Sequence, residues 1–566
     1  MLKLINKFWY ISLAVIFIVG LYFFNSINAN VDLTEEKKFS IQPATKSLIQ
    51  NLNQTVEIEV LLDGNLSSGF KKLQIATKDL LENYRSLSNG LLTFTFSKPG
   101  DGASDSTKAY IYDSLAAMGI KPVNNQLDRE DGEKTEQVIF PAAIVKCNNK
   151  AIAIDLMSGK SGQDEESSLN YSEALLEFKF DDAIDKLTRS NYPVVALAMG
   201  NGEPLNPTIV DLTNMLRTNY RLALFDLKNG MLNADTVKAL VIVKPQLTFS
   251  EIDKVKIDQY IMQGGKVVWL IDKLYAEFDS LIRAKSDFVA FDKNLQIDDL
   301  LFRYGVRINP DLLQDLNCAK QPLVVGNSGG QPQIQRIPFP YYPLLSSSKK
   351  SHPISKNLDH VLSIFPSSID TVKADGITKT VLLATDTNSR TLSTPAIVSL
   401  QSIKTENDFN TFTKSNVPVA VLLEGNFQSL YANRFTPQMK DSVAKFTGIN
   451  FLEKGIKPSQ QIVISDADLV TNVITESGKA LPMGTQQFEE YTFANRDFFI
   501  NCMDYLVGNA AIISTRNKDF TLRLLDKNKV KEEKSFWQLI NIALPIFLIG
   551  IFVFVFTWYR RNNFGR

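Results

Sequence analysis

Histidine and cysteine are nearly missing from this chain. His352 and His360 are its only histidines, and Cys147, Cys318 and Cys502 its only cysteines, in 566 residues. Both histidines lie in the polar segment SSKKSHPISKNLDHV, with no H-x-x-x-H pattern or cysteine close by, so a zinc centre is not expected. The cysteines are 171 and 184 residues apart and form no C-x-x-C pair, which excludes dithiol redox chemistry and leaves room for one disulfide at most. No stretch reads G-x-x-x-x-G-K-[ST], so ATP hydrolysis on a P-loop is excluded as well. An excess of charge is also lacking. With 61 basic and 61 acidic residues there is no global field to recruit nucleic acid, and no nucleic-acid partner is expected.

What is present is a folding composition, 44% hydrophobic and 22% charged, in a chain long enough for roughly three domains. Two apolar runs stand out. FWYISLAVIFIVGLYFF, Phe8 to Phe24, has no charge and follows Lys3 and Lys7, which suits an uncleaved membrane anchor. A cleaved signal peptide is the alternative, but its apolar core would be shorter and would end near an A-x-A site, whereas Ala29 has Ile27 two residues before it. No cysteine precedes Cys147, so no lipid-modified cysteine is expected in this region. At the other end Leu539 to Trp558 gives twenty residues without a charge, about 30 Å as a helix, flanked by Trp537 and Tyr559 and followed by Arg560, Arg561 and Arg566. The positive-inside rule then predicts both termini on the cytoplasmic side and a large ectodomain outside, held to membrane lipid by two spans.

Between the spans the pattern alternates strand and helix. TVEIEVLL, FKKLQIATKDLLENYRSL and LLTFTFSKP read as strand, helix and strand of a small α/β, thioredoxin-like domain. After the helical pattern SEALLEFKFDDAIDKLTRS, apolar runs such as YPVVALAM, KALVIVKP and KVVWLID alternate with helical patterns, predicting a doubly wound, flavodoxin-like parallel sheet covered on both faces. Such sheets bind ligands beyond the carboxyl ends of their strands.

One strand ends in MGNGEP, making Gly200, Asn201, Gly202 and Glu203 the candidate binding loop. It offers no serine or cysteine nucleophile with a nearby histidine, and Pro204 interrupts any phosphate cradle. No catalytic residue, metal or cofactor is therefore expected. The plainer reading is a tight turn with positive φ at the glycines, with Glu203 capping or pairing locally. Asp272 follows another strand, and IVISDADLV places Asp466 and Asp468 after a third, so these are secondary candidates. Two carboxylates could serve a hard cation, but without a glutamate at ligand spacing they read as a capped turn between strand and helix. Asp181, Asp182 and Asp185 fall on a helix.

VDLTEEKKFSI, MGNGEP, YIMQGGKVVWLID, LLFRYGVRINPDLLQD, FPYYPLL with SHPISKNLD, ISDADLV, ANRDFFINCMDYLVG and the terminal span occur here in a particular order. In that order they resemble the gliding-motility-associated accessory proteins of ABC transporters, the GldG family, whose ectodomain recurs in a wider ABC transport auxiliary family. The resemblance covers nearly the whole chain. It implies a non-enzymatic accessory, substrate-binding-like subunit of the inner membrane with a periplasmic ectodomain. Its partners would be a separate ABC ATPase, a separate polytopic permease and an unknown ligand, and its middle domain would be amidotransferase-like in shape. Such families commonly read Gly-His-Gly-Glu where this chain has Gly200, Asn201, Gly202 and Glu203, so no role depending on that histidine carries over.

The expected organisation is a cytoplasmic tip and first span at 1–30, a thioredoxin-like domain at 31–190, and the doubly wound domain at 191–510 with an insertion around 300–415. A juxtamembrane linker at 511–535, a second span at 536–559 and a tail at 560–566 complete it. Two other functions remain open: a divergent hydrolase using Glu203, Asp272 or Asp466 as acid or base, and a purely structural tether or sensor.

Overall fold

The computed structural model describes residues 40–128, 134–157, 165–284, 287–328, 331–348, 352–400, 405–448, 450–486, 491–516 and 527–564. The expected first span, Phe8 to Phe24, lies outside the described residues. The chain is a mixed α/β protein that divides into two compact units, residues 1–518 and 519–566.

In the first unit, α1 (Pro43–Gln50), β1 (Val56–Val60), α2 (Ser68–Leu87) and β2 (Leu92–Phe96) are followed by a helix at Asp105–Ala117 and by β3 (Ala142–Cys147), β4 (Lys150–Asp155) and α3 (Glu165–Thr188). The sheet runs β2-β1-β3-β4, with β1 and β2 parallel and the other neighbours antiparallel. Helix α2 buries Phe70, Leu73, Leu81 and Tyr84, at successive intervals of three, eight and three residues that keep one face on the core. Helix α3 supplies Leu176, Phe180, Ala183 and Ile184 to the same cluster. On the same helix Asp181 is buried and accepts hydrogen bonds from Tyr84 Oη at 2.6 Å and Thr45 Oγ1 at 2.6 Å.

The larger sheet begins with β5 (Val194–Met199), α4 (Val210–Asn219), β6 (Arg221–Asp226), β7 (Val237–Val243), α5 (Glu251–Met262), β8 (Lys266–Leu270) and α6 (Asp298–Tyr304). It continues through β9 (Cys318–Ser328), β10 (Gln331–Ser347), β11 (Ile377–Ala384), β12 (Pro418–Gly425) and β13 (Ser459–Ile464), and helices α7 (Asn495–Val507) and α8 (Ala510–Thr515) follow. The spatial order is β9-β10-β11-β12-β13-β8-β7-β5-β6. From β13 to β6 every neighbour is parallel, and from β9 to β13 every neighbour is antiparallel. Residues 318–425 thus extend the sheet that the parallel strands begin.

The strands are apolar on both faces because both are covered. Val195, Leu197, Val241, Val243 and Leu270 pack with α4 and α7, while Ala196, Ala198, Leu240, Ile242 and Trp269 pack with α5 and α6. Each fully buried Val, Leu or Ile is worth about 1.5–3 kcal/mol, so these two layers dominate the stability of the unit. Helix α5 is fixed at its start by a capping box, in which Ser250 Oγ accepts from Asp253 N and Asp253 accepts from Ser250 N.

The two sheets are joined by buried charge. Lys186 of α3 lies 3.0 Å from Asp504 of α7 and 2.8 Å from Asp182, and Tyr220 donates its hydroxyl to the same Asp504. At the same end Gln42 donates its backbone N–H to Glu177 at 2.8 Å and its side-chain amide to Thr515 O at 3.4 Å. All three cysteines are free.

The second unit contains helix α9 (Lys527–Phe564), which is helical from before the expected span. Its stretch Glu533–Asn562 is long and apolar enough to cross a membrane.

Candidate functional site

In chain order, the parallel strands sit second, first, third, fourth and fifth across the sheet, so the chain reverses direction between β5 and β7. Ligands on such sheets favour that crevice. The MGNGEP loop stands at its edge and fills it. Gly200 and Gly202 have φ of +117° and +83°, the left-handed conformations the sequence suggested. The Asn201 carbonyl accepts from Gln246 N at 2.9 Å and Leu247 N at 2.8 Å, binding the β5 loop to the β7 loop across the crevice. Glu203 pairs locally, its Oε2 accepting from Asn201 N at 2.7 Å, and burial pushes its carboxyl upward. Lys228 links Asn201 Oδ1, at 2.8 Å, to the α5 cap through Asp253, at 2.5 Å. Among the described residues, Asn201 Nδ2 and Glu203 Oε1 are buried without a hydrogen-bond partner. Such atoms cost about 1–3 kcal/mol each, which makes this loop unusual for a mere connection.

The secondary candidates converge one strand further on. Asp272, Asp466 and Asp468 each present a carboxylate oxygen within 4.8 Å of the others. Asp272 follows β8, and Asp466 and Asp468 follow β13, its neighbour in the sheet. Lys244, just past β7, reaches in from the other side of β8, 2.5 Å from Asp468 Oδ1 and 3.4 Å from Asp272 Oδ2. Lys293 approaches Asp272 Oδ2 at 3.6 Å. Asp466 Oδ1 accepts from Asp468 N at 2.8 Å, closing the turn, and its Oδ2 accepts from Ser363 Oγ at 2.5 Å and Ile364 N at 2.7 Å. Asp272 Oδ1 accepts from Ala467 N at 2.6 Å.

Burial, with the neighbouring Asp468 and Asp272 charges, pushes Asp466 well above the usual carboxylate range. Burial also raises Asp468, against the pull of Lys244. For Asp272 burial is outweighed by Lys244 and Lys293, which hold it below its ordinary value. The opposing charges of Asp468 and Asp272 likewise overcome burial at Lys244 and keep its ammonium protonated. Two lysines, Lys244 and Lys293, thus face this group of three aspartates. Three carboxylates suit a hard cation by chemistry, but Lys244 already supplies the central positive charge.

The structure therefore brings Asp272, Asp466 and Asp468 together. It joins the MGNGEP loop to them through the β7 loop, where Gln246 also donates its side-chain amide to Lys244 O at 2.9 Å. Sequence reasoning placed Lys244 at a strand end without its charge role, and it missed Lys293 and Ser363. Lys244 precedes Pro245 and has φ +47°, a conformation costly for a side chain of its kind, and that strain marks the position only in three dimensions.

The fold is a mixed α/β sheet with a switch-point loop and, at its strand tips, an acid cluster paired with lysine. The chain belongs to a family described as an ABC-type uncharacterized transport system, which matches residues 192–502. A domain of unknown function, DUF7088, matches residues 35–146. No curated protein matches the chain. Among solved structures it is similar to the N-terminal domain of mmIFT52, at 12% identity and a TM-score of 0.30, covering 56% of this chain and 98% of that one. It is also similar to a ThuA-like protein from Parabacteroides merdae, at 10% identity and a TM-score of 0.26, covering 56% and 91%.

Proposed function

We propose that this chain is a non-enzymatic accessory subunit of an ABC transporter complex serving gliding motility, binding a substrate or partner with the strand-tip loops of its larger sheet. The observation that carries the reading is the match of residues 192–502 to the ABC-type transport family. A separate ATPase and a separate polytopic permease are its partners, since the sequence holds no P-loop. The β-α-β-α-β-β-α order of the first sheet supports a thioredoxin-like domain, and the five parallel strands support a flavodoxin-like one. Helix α9 serves as one membrane anchor and Phe8 to Phe24 as the other, with both termini cytoplasmic and the folded body periplasmic at the inner membrane.

Affinity purification of the full chain in mild detergent from its own cells tests this: ATPase and permease co-purify, and deletion of the chain abolishes spreading on surfaces. Spreading that survives deletion removes the motility role, and a purification that yields neither partner favours a tether. A phosphatase fused after Gly508 is active if the body is periplasmic and silent if it is cytoplasmic.

The convergence of Asp272, Asp466, Asp468 and Lys244 favours one second reading, a hydrolase with Asp466 as a protonated acid. Turnover of ester, amide or glycoside model substrates by the parent chain, lost in Asp466→Asn, would establish it.

A further inference from the structure

Where the smaller sheet meets the larger one, acids outnumber bases. Asp182, Asp185 and Lys186 lie on the last two turns of α3, Arg189 just beyond them, Asp504 on α7, and Tyr220 between α4 and β6. Helix α3 sends Phe180, Ala183 and Ile184 into the core of the smaller sheet, while Tyr220, Met503 and Leu506 belong to that of the larger. The chain passes from one to the other through residues 189–193, of which Ser190 and Asn191 are exposed. A short connector beside a buried set of charges has the form of a hinge with a latch.

The latch is one ammonium shared by two carboxylates from opposite sides. Lys186 lies 2.8 Å from Asp182 Oδ2 and 3.0 Å from Asp504 Oδ2, and Tyr220 donates its hydroxyl to the other oxygen of Asp504. Arg189 is taken by Asp185, its Nε 2.7 Å from Oδ2. Three carboxylates thus face two bases. Arg516, a further base whose field reaches Asp182, has Tyr171 and Asp497 beside it. Glu177 and Asp181, the other acids on this part of α3, are bonded to Thr45 and Tyr84. Asp182 is the member of the latch most open to water, its side chain 27% exposed against 5% for Lys186 and 7% for Asp504, so a proton can reach it without the joint opening.

Burial, with the Asp504 charge adding to it, pushes Asp182 up to about 6 against the pull of Lys186. Opening the joint would return this carboxyl to water and to the ordinary carboxylate range. The closed joint therefore holds the proton more tightly than the open one, and by linkage the proton favours closure. That contribution is full below the ordinary carboxylate range and is lost as pH rises through about 6.

We propose that the joint formed by Asp182, Lys186, Asp504 and Tyr220 is a proton-operated hinge: a protonated Asp182 keeps the smaller sheet seated on the larger, and loss of that proton loosens the seat about residues 189–193. The position of one domain on the other then follows the acidity of its surroundings.

Hydrogen-deuterium exchange of the full chain in mild detergent tests this between pH 5 and pH 8, each peptide's rate being divided by its unstructured rate at the same pH. Peptides covering 182–193 and 504–516 lose protection by about tenfold across that range, and a peptide covering 418–425 in the middle of the larger sheet does not. Asp182→Asn, neutral at every pH and still able to accept from Lys186, keeps those two regions equally protected at both ends of the range. Asp466→Asn, which alters the separate acid cluster at the strand tips, leaves the loss at the joint as it is in the parent. A parent whose joint peptides show no pH dependence overturns the proposal without any variant. So does a folded Asp182→Asn chain that loses protection as the parent does, or an Asp466→Asn chain in which the loss disappears.

Discussion

Lys244 and Asp468, 224 residues apart in sequence, meet at 2.5 Å across the tip of β8. The ammonium pairs with Asp468 and, at 3.4 Å, with Asp272, and removing it leaves the buried Asp468 carboxylate without its cation. Lys244→Ala is expected to destabilise the chain by about 3–5 kcal/mol, the cost of breaking a buried pair from one side. Thermal unfolding measures it. A loss below about 1 kcal/mol would mean that solvent or an ion replaces the lysine.

Asp466 gives that cluster a pH dependence. Its folded pKa lies above its unfolded one, so its contribution is full below the unfolded value and is lost as pH rises through the folded value. Stability should therefore decline on the alkaline side of the ordinary carboxylate range. Asp466→Asn, neutral at every pH, should flatten that decline whatever it does to stability at one pH. Denaturant unfolding at a series of pH values reads the slope, and identical slopes in parent and variant would refute the assignment.

Gly202→Val should be far more damaging than Glu203→Gln. A Cβ at Gly202 would lie 3.0 Å from Gln246 Cβ in a left-handed backbone, and the strain alone is about 1–3 kcal/mol. Glu203→Gln keeps the oxygen that can accept from Asn201 N and should stay folded. Melting temperatures and partner retention of both variants decide this, and a neutral Gly202→Val would show that the loop relaxes freely.

Lys186→Met should loosen the two sheets from each other, because Asp504 and Asp182 lose their shared cation. A loss of about 3–5 kcal/mol is expected, with faster proteolytic cleavage between Thr188 and Tyr192. A double-mutant cycle with Asp504→Asn should show strong coupling, and additive losses would mean the ion pair does not hold the sheets together.

The alternation of strands and helices was legible because the central strands are apolar on both faces, a pattern that YPVVALAM and KVVWLID carry without context. The positive φ of Gly200 and Gly202 was legible for the same local reason. Each aspartate of the cluster could be placed after its strand, but their meeting could not be read from sequence, because it depends on which strands are neighbours. Ser363 reaches Asp466 across 103 residues, and Lys293 arrives from a loop with no periodic signal. The antiparallel half of the sheet was obscure as well: β9 and β10 carry proline, glycine and glutamine where a buried strand would show an apolar run.

The contact between Gln42 and Thr515 has a mechanical consequence. Tension applied between these two residues passes through one corner, where α1, α3 and α8 meet, and the long sheet lies outside the path of the load. Pulling would shear Gln42 from Thr515 and Glu177 first, and the strand tips would keep their shape until that corner gave way.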